Sequence, residues 1–185
     1  MLAASLALCL SAIGGGTPFA PVQKKGLTIE RLYSQPRLIG TAPRELAWAS
    51  DGRRLAFLWN DEGTNFYDLW MTGVDRPSPV RLTRMPRPVE GAAGAERDSG
   101  VSAVAWSPDG KTLLLTFHGD LYTAKPGEEP AAFADDGEAK SQAAYSPDGR
   151  WVSYVSRGDV FLAEAEGAAG AGRRLTTIAK DEVSV

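Results

Sequence analysis

A unit that occurs three times constrains this chain more than any other feature of its sequence. The copies lie at residues 47–52, 105–110 and 144–149, and the last two read Ala-(Trp/Tyr)-Ser-Pro-Asp-Gly. Each copy is followed by an apolar run and then by an aspartate, an aliphatic residue and an aromatic residue, at 68–70, 120–122 and 159–161. A fixed order of apolar segments and turns, repeated along a chain, indicates a repeat architecture.

The turn at the end of each unit predicts a β-hairpin. In Ser-Pro-Asp-Gly, the serine accepts a local hydrogen bond, proline fixes φ at the second position, and aspartate suits the third. Glycine then adopts the left-handed conformation that strains other residues, and the hairpin closes through a type I turn with a glycine bulge. The first copy has Ala49 and Ser50 in place of Ser-Pro, so we expect a less rigid turn there.

Each unit provides four short apolar segments, which predicts an all-β chain. We predict a partial, truncated β-propeller of about three four-stranded antiparallel blades, at 44–83, 101–134 and 141–177. The outer strands are expected at 80–83, 130–134 and 173–177, and a short helix is compatible with 28–34 because Pro36 would end it. A polar insertion at 60–65 and a linker at 85–100 lengthen the first unit.

The N-terminal stretch predicts export. Residues 1–13 read MLAASLALCLSAI, which is the length of a signal-peptide apolar region and too short to span a bilayer. We therefore expect a signal peptide at 1–20 and a mature chain at 21–185, located in the periplasm or outside the cell. A misassigned start or a buried apolar N-terminus is the alternative. The one cysteine, Cys9, lies in this stretch, so cysteine usage says little about the redox compartment.

The charge pattern argues against nucleic-acid binding. The chain has 20 basic and 23 acidic residues, a formal net charge of -3, and no basic cluster longer than Arg173-Arg174. Recognition of phosphates needs clustered lysine and arginine, so we expect no nucleic-acid partner.

Residues for catalysis are not apparent either. No G-x-S-x-G nucleophile motif occurs, and the only histidine, His118, falls at a predicted hairpin corner. The repeat aligns His118 with Arg157, so the integrin-type tripeptide Arg157-Gly158-Asp159 is explained by a turn that precedes the third strand. We predict no catalytic residue and no cofactor.

For three further groups of residues we favour a structural role over a ligand-binding one. The acidic loops with Asp61, Glu62 and Asn65, and with Asp135-Asp136, lack calcium-loop spacing and are interpreted as solvated turns, so we predict no metal site. Gly170-Ala171-Gly172 lies in a hairpin loop rather than between a strand and a helix, so it does not predict a phosphate cradle. Equivalent aromatic residues predict packing between blades, with a ligand platform as the alternative; they are Trp48, Trp106 and Tyr145, and Trp70, Tyr122 and Phe161.

These motifs resemble the propeller repeats of TolB and of the prolyl oligopeptidase family. The strings at 27–33 and 67–70, with Gly40 and Trp48, resemble the start of dipeptidyl peptidase IV-type enzymes. The resemblance implies the non-catalytic propeller of an exported serine peptidase, which would gate and bind peptide substrates for an α/β-hydrolase domain that this sequence lacks. The alternative is a non-enzymatic, TolB-like propeller that serves as a protein-binding scaffold.

In dipeptidyl peptidases, the propeller also supplies a Glu-Glu pair that binds the amino terminus of the substrate. Glu128-Glu129 lies in a hairpin between strands, so we do not carry that role over to it. Because propellers close with four to eight blades, three blades leave apolar faces uncovered. We therefore expect a fragment of a longer gene product that self-associates, and a homo-oligomer is an open alternative.

We predict that the purified chain does not hydrolyse Xaa-Pro or Xaa-Ala dipeptide reporters above a buffer control. The reason is that the sequence contains neither a nucleophile elbow nor a histidine placed as a general base. A chromogenic assay measures this, and turnover that a serine-directed covalent inhibitor abolishes would contradict it.

Overall fold

The computed structural model describes residues 27–34, 40–89, 98–167 and 172–177. Over these ranges the chain forms three four-stranded antiparallel sheets, one for each sequence repeat. In every sheet each strand pairs with the next strand along the chain, so the sheet is a meander. The prediction of an all-β, partial propeller is confirmed. We call the sheets blade 1, blade 2 and blade 3.

The strand bounds follow the repeats closely. Blade 1 contains β1 (Arg44–Trp48), β2 (Arg54–Trp59), β3 (Asp68–Gly73) and β4 (Val80–Arg81). Blade 2 contains β5 (Val101–Trp106), β6 (Leu113–Phe117), β7 (Asp120–Ala124) and β8 (Ala131–Ala134). Blade 3 contains β9 (Lys140–Tyr145), β10 (Trp151–Ser156), β11 (Asp159–Glu164) and β12 (Arg173–Arg174).

A short helix precedes the first blade, as the sequence allowed. Helix α1 (Ile29–Tyr33) begins after Thr28, whose side chain accepts a hydrogen bond from the backbone N–H of Arg31 at 3.2 Å. The predicted signal peptide lies outside the described residues. Among the residues that are described, no helix is both long and apolar enough to cross a membrane.

The outermost strands of blades 1 and 3 are shorter than the predicted 80–83 and 173–177. The Thr83 side chain accepts a hydrogen bond from the backbone N–H of Leu69 at 2.9 Å. The Thr176 side chain accepts the equivalent bond from Val160, also at 2.9 Å. A threonine hydroxyl therefore accepts the hydrogen bond that a backbone carbonyl would accept if the outer strand continued. The regular outer strand accordingly ends after two residues.

Blade 2 is covered on both faces, because its side chains alternate between two cores. Leu113, Leu115 and Phe117 of β6 pack into a cluster with residues of blade 1. Leu114, between them on the same strand, packs into a second cluster with residues of blade 3. All five residues of β6 are buried, as expected for a strand with an apolar neighbour on each side.

The first strand of each blade makes the contact to the preceding blade. Strand β5 touches β1, β2 and β3 of blade 1, and β9 touches β5, β6 and β7 of blade 2. Trp106 at the end of β5 donates its indole N–H to the backbone oxygen of Ala47 at 3.0 Å. The aromatic residues at this repeat position, Trp106 and Tyr145, therefore pack between blades as predicted.

A matched pair of substitutions tests whether blade packing stabilises the fold. We expect Val101→Ala to lower the free energy of unfolding by about 2 kcal/mol, because it removes two buried methyl groups and leaves a cavity. Val74→Ala is the control, since Val74 is 57% exposed, and it should change stability by less than about 0.5 kcal/mol. Chemical denaturation monitored by tryptophan fluorescence measures both; equal effects would contradict the packing argument.

Candidate functional site

The meander places the turns of each blade alternately on two opposite faces of the molecule. The repeat turns at 49–53, 107–112 and 146–150 lie on one face, together with the loops at 74–79, 125–130 and 165–167 that follow the third strands. We call this the turn face. The corners at 118–119 and 157–158 lie at the other ends of the strands, on the opposite face.

The Ser-Pro-Asp-Gly turns are closed by the same bonds in blades 2 and 3. Ser107 donates to Asp109 at 2.6 Å and accepts from the backbone N–H of Thr112 at 3.0 Å. Asp109 also accepts from the backbone N–H of Lys111 at 3.0 Å. Ser146, Asp148, Arg150 and Trp151 repeat this arrangement. Gly110 and Gly149 have φ values of 68° and 74°, so the left-handed glycine of the prediction is present.

The first turn compensates differently for its missing serine. Arg54 stands where blade 2 has Thr112, and its guanidinium donates to Asp51 at 2.7 Å. The same group donates to the backbone oxygen of Gly110 at 2.8 Å and lies over the Trp106 ring. The turn is therefore held by a side chain that also links it to the turn of the next blade.

An open cleft of about 570 Å³ lies on the turn face between the turns of blades 2 and 3. The end of β11 and the loop after it form its third wall. The lining residues are Ser107, Pro108, Asp109, Thr112, Tyr145, Asp148, Gly149, Arg150, Trp151, Glu164, Ala165 and Glu166. This volume falls within the range of sites that bind small ligands or short peptide segments.

The cleft carries an excess of negative charge. Four of its lining residues are acidic and one, Arg150, is basic. The hydrogen bond from Ser107 lowers the pKa of Asp109, and the backbone N–H of Lys111 adds to this. The hydrogen bond from Ser146 and that from the Arg150 side chain lower the pKa of Asp148 to about 2. Both turn carboxylates are therefore ionised throughout the physiological pH range.

The cleft does not contain the parts of a hydrolytic centre. The Ser107 hydroxyl is bonded to Asp109 and to the backbone of Thr112, not to a histidine. His118 lies on the opposite face, where its Nε2 is 2.8 Å from Asp98 and its ring stacks on Phe117. A nucleophile needs a base within hydrogen-bond reach, so Ser107 and His118 cannot act together.

The aspartate that begins the third strand is buried in blades 1 and 3, where it is bonded within its own blade. In blade 1, Asp68 accepts hydrogen bonds from Arg81, from Thr83 at 3.2 Å and from the backbone of Met85 at 3.0 Å. Asp159 makes the same bonds to Arg174 and Thr176. Asp159 is 3% exposed, so the carboxylate of the Arg157-Gly158-Asp159 tripeptide is enclosed by the blade.

Blade 2 has no Arg-Leu-Thr sequence to bind its aspartate, Asp120. A lysine from the next blade binds it instead. Lys140 of β9 donates to Asp120 at 3.1 Å and also to Asp136. Burial by itself would lower the pKa of Lys140, but its bonds to Asp136 and Asp120 raise it overall. The hydrogen bond from Lys140 in turn lowers the pKa of Asp136. This ion pair joins two blades, whereas its counterparts lie within one.

In each of the two acidic loops considered as metal sites, one carboxylate forms an ion pair with a basic side chain of this chain. Glu62 forms ion pairs with Arg81 at 3.7 Å and with Arg87 at 3.0 Å. Asp136 is bound by Lys140, and Asp61 lies exposed in the same loop as Glu62. Over the described ranges, no three histidine, cysteine, aspartate or glutamate side chains are grouped as a metal would require.

The remaining candidates lie in loops and within strands of the three blades. Glu128 and Glu129 are exposed in the loop between β7 and β8. The backbone N–H of Gly172 donates to the Tyr154 hydroxyl at 2.7 Å, while Gly170 and Ala171 lie outside the described residues.

Trp48 is 58% exposed, unlike its partly buried equivalents Trp106 and Tyr145. Trp70 is buried, and Tyr122 and Phe161 each pack against a core between blades.

The sequence did not indicate two acidic residues of the third wall of the cleft, Glu164 and Glu166. Their repeat equivalents in blade 2 are Lys125 and Gly127, so the comparison of repeats gives no signal for them. Only the antiparallel pairing of β10 with β11 brings Glu164 opposite Trp151 and next to the repeat turn.

Comparisons with known proteins support the fold. No family model and no curated protein matches this sequence. TolB from Acinetobacter baumannii has a similar structure, with 19% identity and a TM-score of 0.54 over 72% of this chain and 32% of its own. A protein assigned as TolB in Agrobacterium tumefaciens matches with 17% identity and a TM-score of 0.56 over 74% of this chain and 50% of its own.

The chain therefore forms blades of a TolB-like propeller and spans a third to a half of these two structures. At such identities the likeness concerns the fold alone. The assignment to the dipeptidyl peptidase IV type, which the repeat motifs also suggested, stays a prediction.

The partly buried Tyr145 of the cleft makes the stability of the fold depend on pH in the alkaline range. Burial, assisted by the charge of Asp109, raises the pKa of Tyr145 to about 12 from 10. Between pH 10 and about 12 the phenol is therefore neutral in the folded state but ionised in the unfolded chain. The free energy of unfolding consequently falls as the pH rises through this range. We expect Tyr145→Phe to remove part of the alkaline fall in unfolding free energy; an unchanged slope would contradict this.

Proposed function

We propose that this chain is a non-enzymatic binding module built from TolB-like blades, and that it holds a basic, extended segment of a partner protein in the turn-face cleft. The observation that carries the proposal is the acidic cleft between the turns of blades 2 and 3. A scaffold role was the alternative to the peptidase role in the sequence analysis, and the structural neighbours are TolB proteins.

The chemistry of the cleft supports a cationic ligand. Asp109 and Asp148 are fixed by their own turns, so their carboxylates do not have to be ordered when a ligand binds. Glu164 and Glu166 lie exposed at the opposite wall, where they can approach a lysine or arginine side chain. Trp151 adds an aromatic surface on which a guanidinium can stack.

The shape of the cleft favours a segment of chain over a compact metabolite. It is open to solvent and is bounded by two turns and a loop, so a peptide can enter and leave it along its length. The cleft also lies at the junction of two blades, where repeat proteins commonly bind extended partners.

We further propose that the chain acts outside the cytoplasm. The support is the apolar stretch at 1–13, whose length suits a signal peptide. N-terminal sequencing of the protein recovered from a secreting host tests this: a mature N-terminus near residue 21 supports export, and an intact Met1 contradicts it.

A peptide-binding experiment tests the cleft. The probe is a fluorescently labelled ten-residue peptide rich in lysine and arginine, titrated with the full chain at low and high salt. We expect Glu164→Gln combined with Glu166→Gln to weaken binding about five-fold, from roughly 0.5 kcal/mol for each exposed ion pair. The affinity should also fall as salt rises, because exposed charges are screened.

The matched control is Glu128→Gln combined with Glu129→Gln. These residues lie on the same face and the net charge changes equally, but they do not line the cleft. Equal weakening by both double variants would show a diffuse charge effect and overturn the proposal. Tighter binding of an acidic peptide of the same length would overturn it as well.

A further inference from the structure

We infer that the cleft between the turns of blades 2 and 3 binds an arginine side chain of the partner. The corresponding position between the turns of blades 1 and 2 is occupied by a guanidinium of this chain, that of Arg54. The inference rests on the proposed function and narrows its basic segment to one that presents an arginine to the cleft.

The guanidinium of Arg54 is held by three groups at the junction of blades 1 and 2. Its Nε and Nη2 atoms donate to Oδ2 of Asp51 at 2.9 and 2.7 Å. Nη2 also donates to the backbone oxygen of Gly110 at 2.8 Å. The Cζ atom lies 5.1 Å from the centroid of the Trp106 ring. A carboxylate, a carbonyl and an aromatic ring thus bind the guanidinium together.

The repeat supplies the same three groups at the junction of blades 2 and 3. The equivalents of the carboxylate, the glycine and the ring are Asp109, Gly149 and Tyr145, in that order. All three line the cleft. Burial and the charge of Asp109 both raise the pKa of Tyr145, as expected for a carboxylate near the ring. Each group that binds the guanidinium one blade earlier therefore has a counterpart in the cleft.

Blade 2 does not supply the side chain that would fill the cleft. Thr112 stands at the position of Arg54 and is too short to span the junction. A Cβ atom placed on Gly110 would lie 3.2 Å from Nη2 of Arg54. A Cβ atom placed on Gly149 would have, among the described residues and apart from its chain neighbours, only Pro108 within 4 Å. Gly110 is accordingly buried and Gly149 is partly exposed.

The carboxylate of the cleft has capacity for a further hydrogen bond. Oδ1 of Asp109 accepts from Ser107 and from the backbone N–H of Lys111. Oδ2 is the equivalent of the oxygen that binds Arg54, and within the described part of the chain its ion-pair partner is the exposed Lys111 ammonium at 3.6 Å. The Asp109 side chain is 55% exposed, against 38% for Asp51. A guanidinium can therefore reach Oδ2 without displacing a bond of the turn.

An arginine suits these three groups better than a lysine does. Its planar guanidinium can donate to a carboxylate and a carbonyl at once while its flat face lies on an aromatic ring. A lysine ammonium is a more strongly hydrated point charge without a flat face, so it gains less from the ring. The cleft therefore selects arginine within a basic segment.

Two labelled ten-residue peptides of equal charge test the inference by fluorescence anisotropy with the full chain. One has lysine as its only basic residue type, and the other has a single central arginine in place of one lysine. We expect the arginine peptide to bind about ten-fold tighter, because only the guanidinium makes the carboxylate, carbonyl and ring contacts together. Equal affinities would overturn the inference and leave the proposed function standing, whereas binding of neither peptide would overturn both.

Two variants with the same added charge locate the arginine site. Thr112→Arg supplies an internal guanidinium at the position of Arg54, so the preference for the arginine peptide should be lost. Ser78→Arg adds the same charge in an exposed loop of the turn face outside the cleft and should retain the preference. A preference that Thr112→Arg retains, or that both variants lose, would overturn the inference. Thermal unfolding shows whether each variant is folded; if Thr112→Arg is not, Asp109→Asn takes its place, with Asp75→Asn as the control.

Discussion

The packing of each blade on the one before it is the interaction on which the rest of this structure depends. A single four-stranded sheet has an apolar side that cannot be buried within the sheet, so it needs a neighbour. Here the first strand of each blade supplies the contact, with a large side chain at its end and a smaller one two residues earlier. Blade 2 is covered on both faces and is the most completely buried. The outer blades are each covered on one face within the described residues.

The buried aspartates show how a polar group is accommodated in such a packed repeat. Asp68 and Asp159 each accept hydrogen bonds from the last arginine of the outer strand of their own blade and from the threonine two residues after it, which satisfies the carboxylate. Blade 2 lacks both partners, and Lys140 of blade 3 reaches Asp120 instead. The same electrostatic requirement is thus met within a blade in two cases and between blades in the third, where it also helps to fix the blade junction.

The turn face combines rigidity with chemical variation. In each Ser-Pro-Asp-Gly turn the serine hydroxyl donates a hydrogen bond to the aspartate, so the carboxylates keep fixed positions. The ends of the third strands and the loops after them differ from blade to blade, and in blade 3 Glu164 and Glu166 of this segment give the cleft its acidic wall. A constant turn beside a variable loop is a common way for a repeat fold to carry binding specificity.

The sequence by itself determined the number of blades, their antiparallel meander and the approximate bounds of the strands. Each of these follows from local rules: turn chemistry at Ser-Pro-Asp-Gly, alternation in the apolar runs, and the recurrence of an aspartate followed by an aliphatic and an aromatic residue. The tertiary structure alone decided the partner of Asp120, the cleft walls at Glu164 and Glu166, and the exposure of Leu46 and Trp48. These depend on which residues of different blades meet. No repeat period encodes such contacts, because identical positions have different neighbours at the middle and at the ends of the array.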